Sequence, residues 1–590
     1  MNSFLLPPSA QLLSRILDSK NATEPILEAV SFKPAFSVEN SGTPLSCCLP
    51  EEAGIPSDLI CDFLERLHKD PSLNMHSILI ARNGKLLCEA SFGAQDTGIW
   101  KHTFSACKSI VSLAIGMLID DGLLSTDEKI LDIFPKEFGA IAKLKLKDLR
   151  VNDVLTMRST LQFAELDSMT TTEWLKEFLN SATKGELGKT FRYNSLNTYL
   201  LAAIIVKKTG KSLTAFLDER LFAPLGITNY YWEKSPQNIE KGGWGLYLLP
   251  KDLVKIAHTV LAGGIYEGKR ILSSEYVQIA TAKHVEVTKE SQDFDYGYQF
   301  WVGKHADVFL FNGMLGQNVL CFRRSGIVLL SHAGNGEFFH TGSYFHYAIK
   351  AFDRDFESVL PKNVKAKKCL QAKIKSLSLY YPVKKTWRER VFTWLVGKGK
   401  DLFEDIVGDY AFEKGDKNAV GLMPLVLQGV HNQYTKGFES ISFLKKEGIP
   451  YLVYRETNVE REIPLGFETP IQTHCLFGTL DFLVASSAKF KYDEEDRLVL
   501  IVRLDFLETP CSRILKFVFG VCGDVRIFHA ELPGEEFVIE TATDLLKQVS
   551  EAPIPLVSGV INRFGEDYVE LKLRKAFAPI LKVKKAENIQ

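Results

Sequence analysis

The stretch that decides the fold is Thr103-Phe104-Ser105-Ala106-Cys107-Lys108-Ser109, and an apolar run over residues 110–119 follows it directly. Read as a helix, this run has apolar residues on nearly every side, which predicts a helix buried in the middle of a domain. Ser105 and Lys108 are three residues apart, so a helix places both side chains on one face, one turn apart. The sequence therefore predicts that a hydroxyl and an amine touch at the beginning of a buried helix.

A serine and a lysine in contact are suited to nucleophilic catalysis. A serine hydroxyl is inert near neutral pH until a neighbouring base takes its proton. Burial lowers the pKa of a lysine, so Lys108 can be that base. The backbone N–H groups at the beginning of the helix can stabilise an oxyanion. The same spacing also arises by chance in a chain of this length, where it marks an ordinary surface helix cap, so the motif needs support from the rest of the sequence.

Length and composition indicate a globular protein of several domains. The chain has 590 residues, more than one ordinary domain holds, so we expect two or three. Its 46% apolar and 24% charged residues are typical of folded proteins. A net charge of -1 gives no general attraction to nucleic acid, and no nucleic-acid partner is expected.

The cysteines and the N-terminus indicate the compartment. The ten cysteines are scattered, without the spacing of metal ligands or the density of a disulfide scaffold, as is typical of a reducing compartment. Residues 1–8 lack a basic segment followed by a long apolar core, so no secretory signal is expected. No uncharged apolar stretch reaches membrane-spanning length. We expect a cytoplasmic protein with no transmembrane segment, no metal and no cofactor.

Regular elements surround the serine helix. Residues 59–67 have a helical period, and residues 77–81 and 85–90 are typical of strands. Asn83-Gly84 lies between the two strands and predicts a hairpin.

This order of elements resembles the serine β-lactamase-like hydrolases. The hairpin, residues 104–109 and residues 121–125 match their landmarks, and residues 153–159 resemble the next one. The group includes class C β-lactamases, DD-peptidases, family VIII-type esterases and nylon-oligomer (aminohexanoate-dimer) hydrolases. The resemblance covers about residues 50–345. It implies an α/β (α+β) fold of the β-lactamase/transpeptidase type, with an antiparallel sheet flanked by helices and a helical insert.

The second family motif, Tyr-x-Asn, is matched by Tyr193-Asn194-Ser195. The resemblance implies that Tyr193 is catalytic and relays a proton between serine, lysine and leaving group, provided that Lys108 lowers its pKa. A buried structural tyrosine is the alternative. Ser195 stands where many members have Asn and resembles the Tyr-x-Ser version of nylon-oligomer hydrolases. It is expected to hydrogen-bond substrate or Lys108.

The third family motif is matched by residues 311–317, Phe-Asn-Gly-Met-Leu-Gly-Gln. β-Lactamases and DD-peptidases carry Lys-Thr-Gly here, so the cation that holds a substrate carboxylate is missing. Gly313 would let substrate approach the strand edge, and the N–H of Met314 would be the second oxyanion donor. Gly316 and Gln317 complete a pattern that resembles the nylon-oligomer hydrolase branch. A simple pair of strand-turn glycines is the alternative.

Three other features are secondary. His332 is expected in a turn after the third-motif strand, outside the catalytic group. His102 is expected to line the pocket or to cap the serine helix. The glycine-rich residues 242–245 predict a turn near the pocket rim.

The C-terminal part of the chain differs in composition. Residues 356–400 are basic and contain aromatic residues, and residues 362–400 are compatible with contact to a membrane surface or with a solvated linker. Alternating patterns at residues 498–506, 514–519 and 525–529 predict strands of an antiparallel β-sandwich or a lipocalin-like barrel. We therefore divide the chain into an N-terminal extension (1–45), a hydrolase domain (46–355), a basic linker (356–400) and a β-rich domain (401–590).

Together these features predict a serine hydrolase that cleaves small-molecule esters or small amides through an acyl-enzyme on Ser105. Lys108 and Tyr193 would move protons, and the N–H groups of Ser105 and Met314 would hold the oxyanion. The alternatives are a β-lactamase or D-amino-acid peptidase, a non-catalytic binding or scaffold protein derived from this fold, or a partner-binding module formed by the linker and the β-rich domain. The sequence indicates no particular oligomeric state.

Overall fold

The computed structural model describes residues 32–37, 42–168, 171–288, 291, 293–336, 342–378, 401–412, 421–433, 435, 437–456, 459–520, 523–534 and 580–586. By its contacts the chain divides into two compact units. We call residues 30–378 with 508–510 the first unit, and residues 1–29, 379–507 and 511–590 the second unit. Residues 1–31 and 379–400, which include parts of the predicted extension and linker, lie outside the described residues. The predicted boundaries at 45, 355 and 400 stay predictions.

The first unit combines helices with an antiparallel sheet. Its helices are α1 Ser57–Lys69, α2 Cys107–Asp120, α3 Ile130–Ile133, α4 Ala140–Lys145, α5 Val151–Leu155, α6 Glu165–Ser168, α7 Trp174–Asn180, α8 Ser195–Thr209, α9 Leu213–Leu217, α10 Pro250–Leu261, α11 Ser274–Ala280, α12 Ser343–Phe352 and α13 Val364–Leu377. Its strands are β1 Met75–Arg82, β2 Lys85–Ser91, β3 Lys101–His102, β4 Tyr230–Trp232, β5 Leu246–Leu248, β6 Ile265–Tyr266, β7 Lys269–Arg270, β8 Phe294–Tyr296, β9 Trp301–Gly303, β10 Val308–Gly313, β11 Gln317–Phe322 and β12 Ile327–Ala333.

Within the described residues, the main sheet of this unit has seven strands in the order β2-β1-β12-β11-β10-β9-β8, all antiparallel to their neighbours. The predicted hairpin is confirmed: β1 pairs with β2, and Asn83 and Gly84 both have the positive φ that a tight turn between twisted strands requires. Residues 296–301 end β8 and begin β9, with Gln299 at positive φ in the turn between the two strands.

The serine helix lies at the centre of the first unit, as its all-round apolar pattern predicts. All residues of α2 from Cys107 to Leu118 are buried. A short 3₁₀ turn, Phe104–Ala106, precedes the helix and contains Ser105. Gly116 allows α11 to pack closely, because a Cβ atom here would lie 2.3 Å from the ring of the buried Tyr276. The fold of the first unit is therefore the predicted β-lactamase/transpeptidase-like arrangement of an antiparallel sheet and helices.

The second unit is a near-closed ten-stranded barrel in the described part of the chain. Its strands are β13 Gly408–Phe412, β14 Phe438–Lys446, β15 Ile449–Glu456, β16 Val459–Pro464, β17 Ile471–Phe477, β18 Leu480–Tyr492, β19 Leu498–Phe506, β20 Ser512–Phe519, β21 Asp524–Leu532 and β22 Ile580–Lys585. They follow the order β16-β15-β14-β13-β22-β21-β20-β19-β18-β17, so the two edge strands are consecutive in the chain. The three strands predicted from alternation correspond to β19, β20 and β21.

The core of the barrel is rich in aromatic side chains and includes a helical segment. Leu422 and Leu427, on either side of the start of α14 (Leu425–His431), belong to the same buried cluster as the strand residues. The buried Arg513 donates hydrogen bonds to the carbonyls of Leu422 and Met423 and pairs with Glu531. These bonds hold the segment against the barrel strands.

None of the helices that the structure describes combines the length and the apolar character needed to cross a membrane.

The packing of Gly116 gives a test of the core. A Gly116→Ala variant gains about 1 kcal/mol of helix propensity, but the clash with Tyr276 costs about 1–3 kcal/mol. We expect a net loss of about 1 kcal/mol in the free energy of unfolding, measured by denaturant titration. Gly429→Ala is the matched control, since Gly429 is also helical and has nothing within 4 Å of an added Cβ. Equal stability of the two variants would contradict this packing.

Candidate active site

Ser105 and Lys108 are in contact at the beginning of α2. Lys108 Nζ lies 2.7 Å from Ser105 Oγ, which confirms the contact predicted from their spacing. Ser105 is half-buried, so part of its side chain is open to solvent. The preceding residue, Phe104, has a φ of 47°, a conformation that costs energy in a residue other than glycine. Such strain persists where the surrounding packing holds the backbone in place. The backbone conformation at Phe104 sets the direction in which the Ser105 side chain points.

Lys108 is enclosed by protein. Its side chain is 1% exposed, and its amine also donates a 2.7 Å hydrogen bond to the carbonyl of Gly243. Burial lowers the pKa of Lys108 to about 8, and nearby Cys107 and Glu165 oppose this shift only in part. A sizeable fraction of the amine is therefore neutral near physiological pH and can accept a proton.

Tyr193 completes a cluster of three side chains. Its hydroxyl is hydrogen-bonded to Ser105, and the Lys108 Nζ lies 5.0 Å from the centre of its ring. The ring stacks on Trp301 at 5.8 Å and meets Tyr296 edge-on at 6.2 Å, which fixes its position. The expectation that Lys108 lowers the pKa of Tyr193 is wrong. Loss of hydration raises the pKa of the phenol, and the hydrogen bond to Ser105 offsets only part of this, so Tyr193 stays protonated.

The glycine-rich turn at residues 242–245 belongs to the site itself and not only to its rim. Besides holding Lys108, Gly243 lies so close to α8 that an added Cβ would be 2.7 Å from the carbonyl oxygen of Ser195. The N–H of Gly245 donates a 3.1 Å hydrogen bond to Nε2 of His102, which is buried on β3. The cluster of glycines in the sequence indicated that this turn approaches its neighbours closely. It did not indicate that Lys108 bonds to the turn.

Ser195 is the first residue of α8, and Asn194 caps that helix by accepting from the N–H of Leu196. In the described part of the chain, Lys108 donates to Ser105 and Gly243 and not to Ser195. The proposed contact of Ser195 with substrate therefore stays a prediction, and the contact with Lys108 is not made. The N–H of Ser195 donates at 3.3 Å to Oε1 of Glu165, an acid that sequence reasoning did not single out.

The end of β10 lies against the serine turn. A Cβ on Gly313 would be 2.4 Å from the carbonyl oxygen of Thr103, so only glycine fits this contact. Met314 follows directly and is half-buried, and its role as the second oxyanion donor stays a prediction. Phe311 is fully buried and meets Phe300 edge-on at 5.1 Å. The position matched to the family's lysine thus holds a core side chain.

Gly316 and Gln317 are tied into the fold. Gly316 has a φ of 95°, and its carbonyl accepts from the hydroxyl of Ser331. The buried amide of Gln317 donates to the carbonyl of Ala333 at 2.6 Å, and its oxygen lies 2.9 Å from Nδ1 of His332. Both residues shape the turn after Met314, and their contact with substrate stays a prediction.

His332 was expected in a turn but lies within strand β12. Burial lowers its pKa to about 3, so it stays neutral. Among the described residues, no group of three or more His, Cys, Asp or Glu side chains is arranged to hold a metal ion.

Comparison with known proteins identifies this part of the chain. The Beta-lactamase family model matches residues 68–357. A 6-aminohexanoate-dimer hydrolase of Paenarthrobacter ureafaciens is 23% identical over 233 residues, covering 35% of this chain and 57% of that protein. An uncharacterized protein of Alkalihalophilus pseudofirmus is 24% identical over 238 residues, covering 35% of this chain and 64% of that protein. The chain thus spans less than two thirds of the length of these two relatives.

A Bacillus anthracis protein provisionally named a 6-aminohexanoate-dimer hydrolase has 16% identity and a TM-score of 0.45, covering 58% of this chain and 92% of its own.

The lowered pKa of Lys108 predicts how the reactivity of Ser105 depends on pH. Below pH 8 the amine is protonated and cannot take the serine proton, and above it the amine is neutral and can. We expect the rate of labelling by a fluorophosphonate to rise with pH, with a midpoint at about 8. Lys108→Met should label slowly and lose this midpoint. A wild-type profile that stays flat through this range would contradict a basic role for Lys108.

Proposed function

Residues 68–357 of this chain belong to the Beta-lactamase family, and from this premise we propose that the protein is a serine hydrolase that cleaves esters or small amides through an acyl-enzyme on Ser105. The observation that carries the proposal is the buried Lys108 amine 2.7 Å from the Ser105 hydroxyl. A nucleophile, a base near its working pKa and a hydroxyl donor meet at one point, which is the arrangement that acyl transfer requires.

In the first step, the neutral Lys108 amine takes the proton from Ser105 while Oγ attacks the carbonyl carbon of the substrate. The negative charge that develops on the carbonyl oxygen is held by the N–H groups of Ser105 and Met314. Tyr193, which burial keeps protonated, donates its proton to the leaving alcohol or amine and recovers one from the Lys108 ammonium. The product of this step is a serine ester and a free leaving group.

In the second step, water attacks the serine ester. Its proton passes to the basic pair formed by Lys108 and Tyr193, the same oxyanion donors hold the second tetrahedral intermediate, and Ser105 leaves with a proton. The carboxylic acid is released, and the site returns to its starting state.

The substrate class follows from the third-motif strand. β-Lactam antibiotics and D-alanyl peptides carry a carboxylate that needs a cationic partner. Phe311 supplies none, since it is a buried core residue. We therefore favour esters and amides that need no carboxylate anchor over β-lactams or D-amino-acid peptides. From the scattered cysteines we also propose a cytoplasmic location. The relative named a 6-aminohexanoate-dimer hydrolase supports an amide among the substrates, since the name describes hydrolysis of an amide-linked dimer.

The proposal is tested by mass spectrometry of the intact protein after fluorophosphonate treatment, together with turnover of a short-chain nitrophenyl ester. We expect one adduct in wild type. Ser105→Ala should lose the adduct and at least about 10³-fold in kcat/KM, whereas Ser125→Ala, at an exposed serine, should retain both.

If folded wild type neither labels nor turns over, the catalytic proposal fails. The non-catalytic scaffold would then be the better description of this fold.

A further inference from the structure

We propose that Glu165 selects substrates by charge: its carboxylate admits neutral and cationic substrates to Ser105 and disfavours substrates with a carboxylate close to the scissile bond. This inference rests on the proposed function and names its substrate class. It makes Glu165 a specificity-determining residue that does not itself exchange a proton with the substrate.

The position of Glu165 is set by direct contact with the second motif. Its Oε1 accepts a 3.3 Å hydrogen bond from the N–H of Ser195, which is two residues after Tyr193. The side chain is half-buried, so the carboxylate is open on one side while the other side is held at the beginning of α8. Backbone N–H groups at a helix N-terminus attract negative charge, so this position suits a carboxylate side chain.

The segment that carries Glu165 is fixed from both sides. The amide nitrogen of Asn194 donates to the carbonyls of Leu161 at 3.1 Å and Phe163 at 2.9 Å. Within the segment, the Asp167 carboxylate accepts from the N–H of Ala164 at 3.0 Å. Asn194 is next to Tyr193 in the chain. Its side chain therefore links the segment that carries Glu165 to the residue that carries the phenol.

The negative charge of Glu165 acts on the groups that react. It raises the pKa of both Lys108 and Tyr193, although burial is the larger influence on each. Position 311, where related enzymes carry a cation, contributes a buried phenyl ring. Position 311 therefore supplies no cation that would balance the charge of Glu165.

This charge discriminates between substrates of the same shape. A substrate carboxylate that comes close to Glu165 meets a like charge, whereas an ammonium group is attracted and a neutral group is indifferent. The selection acts on binding, so it changes KM more than kcat.

The experiment compares three nitrophenyl esters of equal acyl length that end in an ammonium, a methyl or a carboxylate group. For wild type we expect KM to be lowest for the ammonium ester and about tenfold or more higher for the carboxylate ester, with similar kcat values. Glu165→Gln should bring the three KM values together, and Glu165→Lys should reverse their order. Glu177→Gln, at an exposed acid of the same insert, should keep the wild-type order.

The outcomes separate this inference from the proposed function. Equal KM values for the three esters in wild type, with normal labelling of Ser105, would overturn the role of Glu165 and leave the serine hydrolase in place. No labelling and no turnover would overturn the proposed function itself. The reversed preference of Glu165→Lys distinguishes charge selection from a loss of folding in Glu165→Gln, because a misfolded variant loses all three activities.

A separate observation concerns two cysteines on other helices of the first unit. Cys61 on α1 and Cys369 on α13 place their sulfur atoms 3.7 Å apart, although 308 positions separate them in the chain. Cys369 is exposed and Cys61 is half-buried, so a small oxidant can reach the pair. We infer that these two thiols form a disulfide when the protein meets a peroxide.

The reaction balances without a further partner. One thiolate attacks the peroxide oxygen and becomes a sulfenic acid, the second sulfur then displaces water from it, and two thiols with one hydrogen peroxide give one disulfide and two water molecules. A disulfide has an S–S length near 2.0 Å, so the two side chains need to move together only slightly.

The test is peptide mapping of the full chain after brief hydrogen peroxide treatment, without reductant. We expect one cross-linked peptide that contains Cys61 and Cys369 and has lost two hydrogen atoms, and we expect Cys61→Ser and Cys369→Ser each to abolish it. Cys47→Ser, at another exposed cysteine, should retain it. Recovery of both cysteines as alkylated thiols after oxidation would overturn the inference.

Discussion

The structure of the site depends on the buried amine of Lys108, which donates hydrogen bonds to the Ser105 hydroxyl and to the Gly243 carbonyl. An amine taken out of water prefers its neutral form, and it persists there only because two oxygens satisfy it. The buried α2 supplies the dry surroundings, and the turn at Gly243 supplies the second oxygen. Together, these two contributions give Lys108 an amine that is partly neutral near physiological pH. The neutral amine can accept the proton of Ser105 and so activate the serine.

The local parts of this arrangement could be predicted from the sequence. The contact of Ser105 with Lys108 follows from helical spacing, the β1–β2 hairpin from Asn83-Gly84, and the barrel strands from alternation of apolar residues. Each of these depends on residues close together in the chain, where backbone geometry alone fixes which side chains meet. The order of the three motifs resembles that of a known family, and this resemblance predicted the fold of the first unit.

The parts that depend on distant packing could not be predicted. The bond from Lys108 to Gly243 joins residues 135 positions apart, and no local pattern indicates it. The phenol of Tyr193 was expected to have a lowered pKa because a cation lies nearby, but loss of hydration raises its pKa and the hydrogen bond to Ser105 offsets this only in part. His332 was expected in a turn because it follows the third-motif strand, yet it lies in β12 and pairs with Ser77 across the sheet. Glu165 was overlooked since an isolated acid carries no motif.

The close approach of Gly243 to Ser195 also bears on how relatives of this chain are judged. Any side chain at this position would collide with backbone and displace the carbonyl that holds the lysine. A relative could therefore retain serine, lysine and tyrosine at the three motif positions and still be an inactive pseudoenzyme. In this fold, activity of a relative therefore depends on a glycine at this position as well as on the three residues that perform the chemistry.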